Sequence, residues 1–312
     1  MSQNKAQIDQ LLTKATSAYI PKGYISEVLL PFIPVAQYTG LLGAWGQNHL
    51  RIVNSVVGGK GKYRRVETKA TSSSSYHIEG HGLTDLVTRE DYRNTTLPFN
   101  AEKMKTIGLS TVLWLEKEKG LADTLADTAI VTQNATLVGT DQFSDYNNSD
   151  PVAQFSVGRE AVRAGCGVYP NAAFMDKAVR NKLKYHPQLL ELLGFKYARP
   201  GGLSDQELAQ ALDVDKVVIA DVSYQSANAG QTNGAMSAVW GKHMWMGVIP
   251  DAAQLEQISL GYRFGLEGEQ PRKVYKQAVF NPPESTELLV EDLYDYLISN
   301  ATAVYLWKNA IA

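Results

Sequence analysis

Three prolines set among aliphatic residues near the N-terminus constrain this chain more than any other feature. In "AYIPKGYISEVLLPFIPVAQYTGLLG", Pro21, Pro31 and Pro34 each remove a backbone donor and disfavour helix at the residue before them. The segment is predicted to run extended over another surface, because Val28, Leu29, Leu30, Phe32 and Ile33 need apolar cover. The next segment is equally dependent on support. Residues 60–69 and 76–90 read as two strands around a Thr71–Ser75 tip, and neither strand has a clean apolar face. An isolated two-stranded hairpin is marginal in water. A hairpin this long and polar needs something to lie on, and a neighbouring subunit is one such support.

Downstream, the patterns turn helical and then extended. "LPFNAEKMKTIGLSTVLWLEKEKGLADTLADTAI" reads as one long helix, with Asn100 as its N-cap and Met104, Ile107, Thr111, Leu115, Ala122, Leu125 and Ala129 as its apolar stripe. Gly120 within it leaves room for a kink. Residues 131–140 read as a strand. "PNAAFMDKAVRNKLKYHPQLLELLGF" reads as a helix capped by Asn171, with Phe174, Ala178 and Leu183 buried, a break at Pro187 and an end at Gly194. Ser204 and Glu207 form a capping box. "VDKVVIADVSYQ", "AVWGKHMWMGVI", "ISLGYRFGL" and "RKVYKQAVFNP" read as strands, and the last residues as strands or a strand plus helix. Helices and strands are segregated, so the fold class is α+β.

Charge and cysteine content narrow the function classes. The 312 residues carry a formal net charge of −2, whereas a free-standing tight nucleic-acid binder carries a basic excess. The single cysteine, Cys166, excludes an intrachain disulfide framework and a cysteine-rich zinc site. The first residues have no apolar run of signal-peptide length, and no stretch is long enough to span a bilayer. Folding in a cytosol is the expectation.

One stretch looks like chemistry. In "SYHIEGHG", His77, Glu79 and His81 would share one face of a strand, as ligands of zinc or iron in a metal-dependent enzyme would. A polar hairpin, however, offers no buried surroundings to orient such ligands. If the two strands pair around the serine tip, Arg64 and Val66 lie near Glu79 and His81, an ordinary cross-strand arrangement. The better expectation is a polar intersubunit face made of Lys60, Lys62, Arg64, Arg65, His77, Glu79 and His81, with no catalytic, metal or cofactor site. "GGKGKY" fails the phosphate-loop pattern at Tyr63. "DYNNSD" begins like a calcium loop but has Asp150 at the required glycine, so an Asx-bonded turn is expected at Asp145. Cys166 and His186 read as packing residues, and His243 as core or interface.

Four stretches carry a resemblance: "FSDYNNSDPVAQFSVGREAV", "YPNAAFMDKAVRNKLKYHPQLLELL", "DQELAQALDVDKVVIADVSYQSANAG" and "SAVWGKHMWMGVIP", in that order. With the N-terminal "EVLLPFIPV", they resemble the tailed-bacteriophage major capsid protein family, the Hong Kong 97-like fold. The resemblance implies an N-terminal arm (1–55), an extended loop (56–95), a peripheral domain with a long spine helix (96–164, joined again by 271–312) and an axial domain (165–270). It implies self-assembly as pentamers and hexamers into an icosahedral head, built in the bacterial cytoplasm around double-stranded DNA that is contacted non-specifically. Portal and separate scaffolding proteins are the further partners, and no membrane is involved. Some relatives cross-link lysine to asparagine, but no full lysine–asparagine–glutamate set matches here. An encapsulin-type compartment, which shares the fold, is the alternative.

Overall fold

A computed structural model describes residues 7–44, 72–94, 98–195, 201–227, 234–252, 257–270, 272–280 and 284–312, with residues 52, 53, 55–57, 62, 63 and 65. The chain opens with β1 (Gln7–Ile8), α1 (Gln10–Ser17), α2 (Ser26–Leu29), β2 (Phe32–Val35) and β3 (Thr39–Ala44). After β4 (Ser72–His77) and β5 (Glu79–Val87) come α3 (Arg89–Asn94) and the 29-residue α4 (Pro98–Ala126). Next are β6 (Asn134–Thr136), α5 (Pro151–Cys166), β7 (Ala172–Asp176), α6 (Lys177–Leu183), α7 (Pro187–Leu192), α8 (Asp205–Leu212) and β8 (Lys216–Ala220). The chain closes with strands: β9 (Ser223–Gln225), β10 (Met236–Ala238), β11 (Met244–Gly247), β12 (Gly261–Leu266), β13 (Arg272–Val279), β14 (Ser285–Ile298) and β15 (Val304–Lys308). The α+β class holds, and the tail is two strands, β14 and β15, joined through a short 3-10 turn at Ala301–Ala303.

Two sheets organise the molecule. One runs β1-β13-β14-β12-β2, with β5 also on β14; the other runs β6-β15-β11-β7-β8. The second is covered on both faces. Ala173, Met175, Met244, Met246, Tyr305 and Trp307 face one core with α5 and α8 residues such as Phe155 and Leu208. Their neighbours Ala172, Phe174, Trp245, Val304 and Leu306 face another with Leu29, Leu121 and Leu125. Burial on both faces explains why "AAFMD" is apolar without alternation, and why it reads as part of a helix. The residues expected to open that helix are instead β7, an interior strand between β11 and β8. Asp176, not Asn171, caps the helix after it, its carboxylate accepting the Ala178 N–H. Asn171 ties loops together instead: its side chain donates to the Ile249 carbonyl and accepts the Ile249 N–H. The break at Pro187, the positive φ of Gly194 and the Ser204–Glu207 capping box are as expected.

α4 spans both sheets, about 43 Å at the standard rise per residue. Its first half packs Ala101 and Leu113 against Val274, Leu288 and Val290; its second half packs Leu121, Ala122 and Leu125 under the five-stranded sheet. The helix starts at Pro98, whose missing N–H costs nothing at a helix start, so Asn100 lies inside the first turn rather than capping it. Its buried stripe is the expected apolar one only toward its C-terminal end, where Ala122 and Leu125 are buried. Met104 is exposed, while Glu102, Thr106, Ser110, Lys117 and Glu118 are buried. Polar partners meet them there. The Tyr92 hydroxyl and the Lys276 ammonium donate to Glu102, and the hydroxyls of Thr106 and Ser110 donate to carbonyls one turn back. A stripe half made of polar residues escapes a hydrophobic-period reading.

The proline-rich segment needs no foreign surface for most of its apolar residues. Leu29 and Leu30 pack with Leu121, Trp240 and Trp245 of the same chain, Ile33 is buried beside Tyr262 and Phe264, and β2 runs parallel to β12. Only Val28 of that group stays largely exposed. The predicted hairpin is also corrected. Ser72–Ser75, taken for its tip, are strand residues of β4 paired with β3, and β5 pairs with β14. The strand predicted at 60–69 lies largely outside the described residues. No helix among the described residues is long and apolar enough to cross a membrane.

Candidate assembly surface and buried charge cluster

The row of ligand-type side chains in "SYHIEGHG" does not form. His77 ends β4 opposite Thr39, Ile78 turns into the core beside Tyr76 and Phe264, and Glu79 starts β5 opposite Tyr294. The break at Ile78 places the two strands in different sheets. His77 Nε2 and Glu79 Oε1 remain 3.9 Å apart, both exposed. The His77 N–H donates to the Asp295 carboxylate, whose pKa is raised by burial. His81 turns inward: its ring stacks on Tyr294 at 4.5 Å, and Nδ1 lies 3.6 Å from Glu116 of α4. Lys62 and Arg65 are exposed outside regular structure, and Lys60 and Arg64 lie outside the described residues, as does Val66. Among the described members of the expected cluster, His77 and Glu79 are the pair that lie together. Among the described residues no three His, Cys, Asp or Glu side chains gather as a metal site would.

Nucleophile–base pairs are equally unsuited to chemistry. The hydroxyl of Ser149 lies 3.0 Å from His186 Nε2, but both residues are buried, so no substrate reaches them. Burial lowers the His186 pKa. The Cys166 thiol is buried, donates to the Val168 carbonyl and has its pKa raised by that burial, which suppresses the reactive thiolate. His243 Nδ1 accepts the Asn309 N–H, a packing role. Asp145 forms the expected Asx turn, accepting the N–H groups of Asn147 and Asn148.

Two features that sequence reasoning missed do stand out. The first is a set of exposed apolar side chains on one part of the chain: Ile20, Tyr38, Leu41, Ile52, Val56 and Tyr63. Each is ordinary in sequence, since exposure depends on what the rest of the fold fails to cover. The second is a buried charge cluster. Lys117, Arg263, Arg272, Glu27 and Asp292 meet beside Trp114 where α2, α4, β12, β13 and β14 converge. Arg272 Nη2 donates to Asp292 at 2.7 Å, with both side chains nearly inaccessible. Arg263 Nη1 bonds Glu27 at 2.8 Å, and Lys117 Nζ lies 3.5 Å from the same carboxylate. Lys117 and Arg272 both lie over the Trp114 ring. Desolvation pulls the Lys117 pKa down to about 8, opposed chiefly by Asp292. These residues come from five elements far apart in sequence and carry no joint pattern in it.

No protein-family model matches the chain. Along 245 residues it is 22% identical to the major capsid protein of Burkholderia phage BcepMu, covering 78% of this chain and 76% of that one. Among solved structures, a phage-related protein from Bordetella bronchiseptica RB50 superposes with a TM-score of 0.76 at 23% identity, over 98% of both chains. The capsid of cyanophage P-SCSP1u superposes with a TM-score of 0.57 at 10% identity, over 93% of this chain and 89% of that one. The fold is thus the Hong Kong 97-like fold of phage capsids.

Proposed function

We propose that this chain is the major capsid protein of a tailed bacteriophage, a structural protein that assembles as pentamers and hexamers into the icosahedral head enclosing the DNA genome. The single observation that carries the reading is the similarity to a phage major capsid protein over more than three quarters of the chain. The exposed apolar side chains between Ile20 and Tyr63 support it, because a monomer has no use for a string of uncovered apolar residues, and a neighbouring subunit would bury them. In this reading residues 1–55 are the arm, 56–95 the extended loop, 96–164 and 271–312 the peripheral domain with α4 as its spine, and 165–270 the axial domain. The paired strands β3 and β4 would form the base of the loop. Lys60, Lys62, Arg64, Arg65, His77 and Glu79 are the polar residues offered to a neighbour. Many moderate contacts of this kind add to a stable shell. Portal and scaffolding proteins would be its other partners in the virion, and the packaged DNA would be touched without sequence preference. A net charge of −2 suits containment better than adhesion.

Electron microscopy of the purified full-length protein tests this. Shells, capsomers or tubes are expected; a small monomer that persists at high concentration overturns it. The encapsulin alternative is less favoured because the curated similarity is to a phage protein. A portal gene beside this one would separate the two.

A further inference from the structure

The charge cluster lines a cavity of about 180 Å³, walled by Thr16, Ser17, Ile20, Glu27, Trp114, Lys117, Arg263, Arg272 and Asp292. Three of these side chains are cationic and two are carboxylates. Four wall atoms have no acceptor: the fully buried unpartnered polar atoms there are Arg272 Nε and Nη1, Arg263 Nε and Trp114 Nε1, all N–H donors. Both carboxylates are already engaged by the arginines. The cavity far exceeds the roughly 10–15 Å³ that one water requires. Exposed Ile20 and half-exposed Glu27 carry its wall to the surface.

We propose that this cavity binds a small oxyanion, of the size and charge of inorganic phosphate, held by Lys117 with Arg263 and Arg272. An oxyanion would balance the one excess positive charge and supply acceptors to the N–H groups that the two carboxylates leave unpaired. It would also clamp the N-terminal segment, because Thr16, Ser17, Ile20 and Glu27 come from there, while the cations come from α4, β12 and β13. The site stands apart from the capsid reading, since its contacts all lie within one chain. The groups facing Lys117 are Glu27, Asp292, Arg263 and Arg272, with the Tyr294 ring 4.6 Å away; neighbouring Glu118 is held by Ile25, Ser26 and Trp240. With Lys117 near 8, the cluster loses its excess positive charge as pH rises through that value, and binding weakens.

Thermal melts of the full-length protein in phosphate, against chloride at equal ionic strength, test the proposal at pH 7 and pH 9.5. Phosphate should raise the melting temperature specifically at pH 7, Lys117→Met should weaken binding by about tenfold or more, and Lys117→Arg should restore it. An equal phosphate effect in wild type and Lys117→Met, or none in either, overturns the site. If Lys117→Met does not fold, a structure of the wild type grown in selenate decides. Anomalous density within hydrogen-bond distance of Lys117 Nζ supports the site, and water alone in the cavity overturns it.

Discussion

Gly158 of α5 lies directly beneath the indole of Trp307, so that any Cβ at Gly158 would collide with the ring's Cη2 and Cζ2 atoms. Trp307 cannot step aside: it is fully buried between Phe155 and Tyr305. Gly158→Ala should therefore destabilise by about 1–3 kcal/mol, despite alanine's better helix propensity. Gly108 of α4 has open space around it, so Gly108→Ala should stabilise by up to about 1 kcal/mol. Denaturant midpoints of the two variants should move in opposite directions. Movement in the same direction would mean that the Trp307 contact does not decide the outcome.

That contrast shows where the sequence was readable. Local signals survived: the Ser204–Glu207 box, the break at Pro187, the Asp145 turn and the length of α4 all rest on neighbours in the chain. Signals that depend on distant partners did not. Gly120, read as a place for a kink, is small because the Tyr296 hydroxyl occupies the space of its side chain. β7 reads as helix because both its faces are covered, and the inner stripe of α4 escapes the period because its polar residues find partners on other elements or one turn back. The candidate site is legible only in part. Spacing alone groups His77, Glu79 and His81; His77 and Glu79 stay within 3.9 Å of each other, but His81 turns inward onto Tyr294 and Glu116. The charge cluster was invisible because five elements build it.

Glu118 is the anchor for the N-terminal segment. Buried inside α4, its carboxylate accepts the N–H groups of Ile25 and Ser26 at 2.8 and 3.0 Å and the Trp240 indole N–H at 2.7 Å. Glu118→Gln puts an amide NH₂ among three donors and should cost about 2–4 kcal/mol. Hydrogen exchange should quicken first at Ile25 and Ser26. Unchanged protection there would show that packing of Leu29 and Leu30 holds the segment alone.

The Arg272–Asp292 pair is buried, and removing one partner strands the other. Asp292→Ala should destabilise by about 3–5 kcal/mol, and it also deprives Lys117 of the main group that sustains its charge. The double change Arg272→Met with Asp292→Leu should recover most of that loss, because no buried charge of the pair remains. Urea unfolding of the wild type, Arg272→Met, Asp292→Leu and the double variant gives the coupling directly. Additive losses would show that the two side chains are stabilised independently.

Lys117 gives a pH signature of opposite sense to a salt-bridged surface lysine. Its pKa is about 8 in the folded chain and 10.5 as an unperturbed side chain, so between those values the unfolded chain binds more protons. Stability should rise with pH across that window, by roughly 3 kcal/mol in all, because burial no longer has to hold a charge. Below pH 8 the penalty is fully present. Buried tyrosines such as Tyr92, held up to about 12, work against folding above pH 10, so pH 8–9.5 is the window to compare. Subtracting the profile of Lys117→Met isolates the lysine, and two parallel profiles would show that it is not buried as a charge.

The pairing of β4 with β3 and of β5 with β14 decides which deletion tests assembly. Removing residues 60–82 would excise all of β4 and the start of β5, including Tyr76 and Ile78, which pack on Phe264. Such a chain should melt early for reasons unrelated to assembly. Replacing residues 45–71 with a short Gly-Ser linker keeps both paired strands and their core contacts, while removing the exposed side chains of Ile52, Val56 and Tyr63. The capsid reading expects this chain to melt within a few degrees of wild type and to form few or no shells by electron microscopy. Normal shells from it would remove this segment from the interface. An early melt would place the segment in the subunit's own fold.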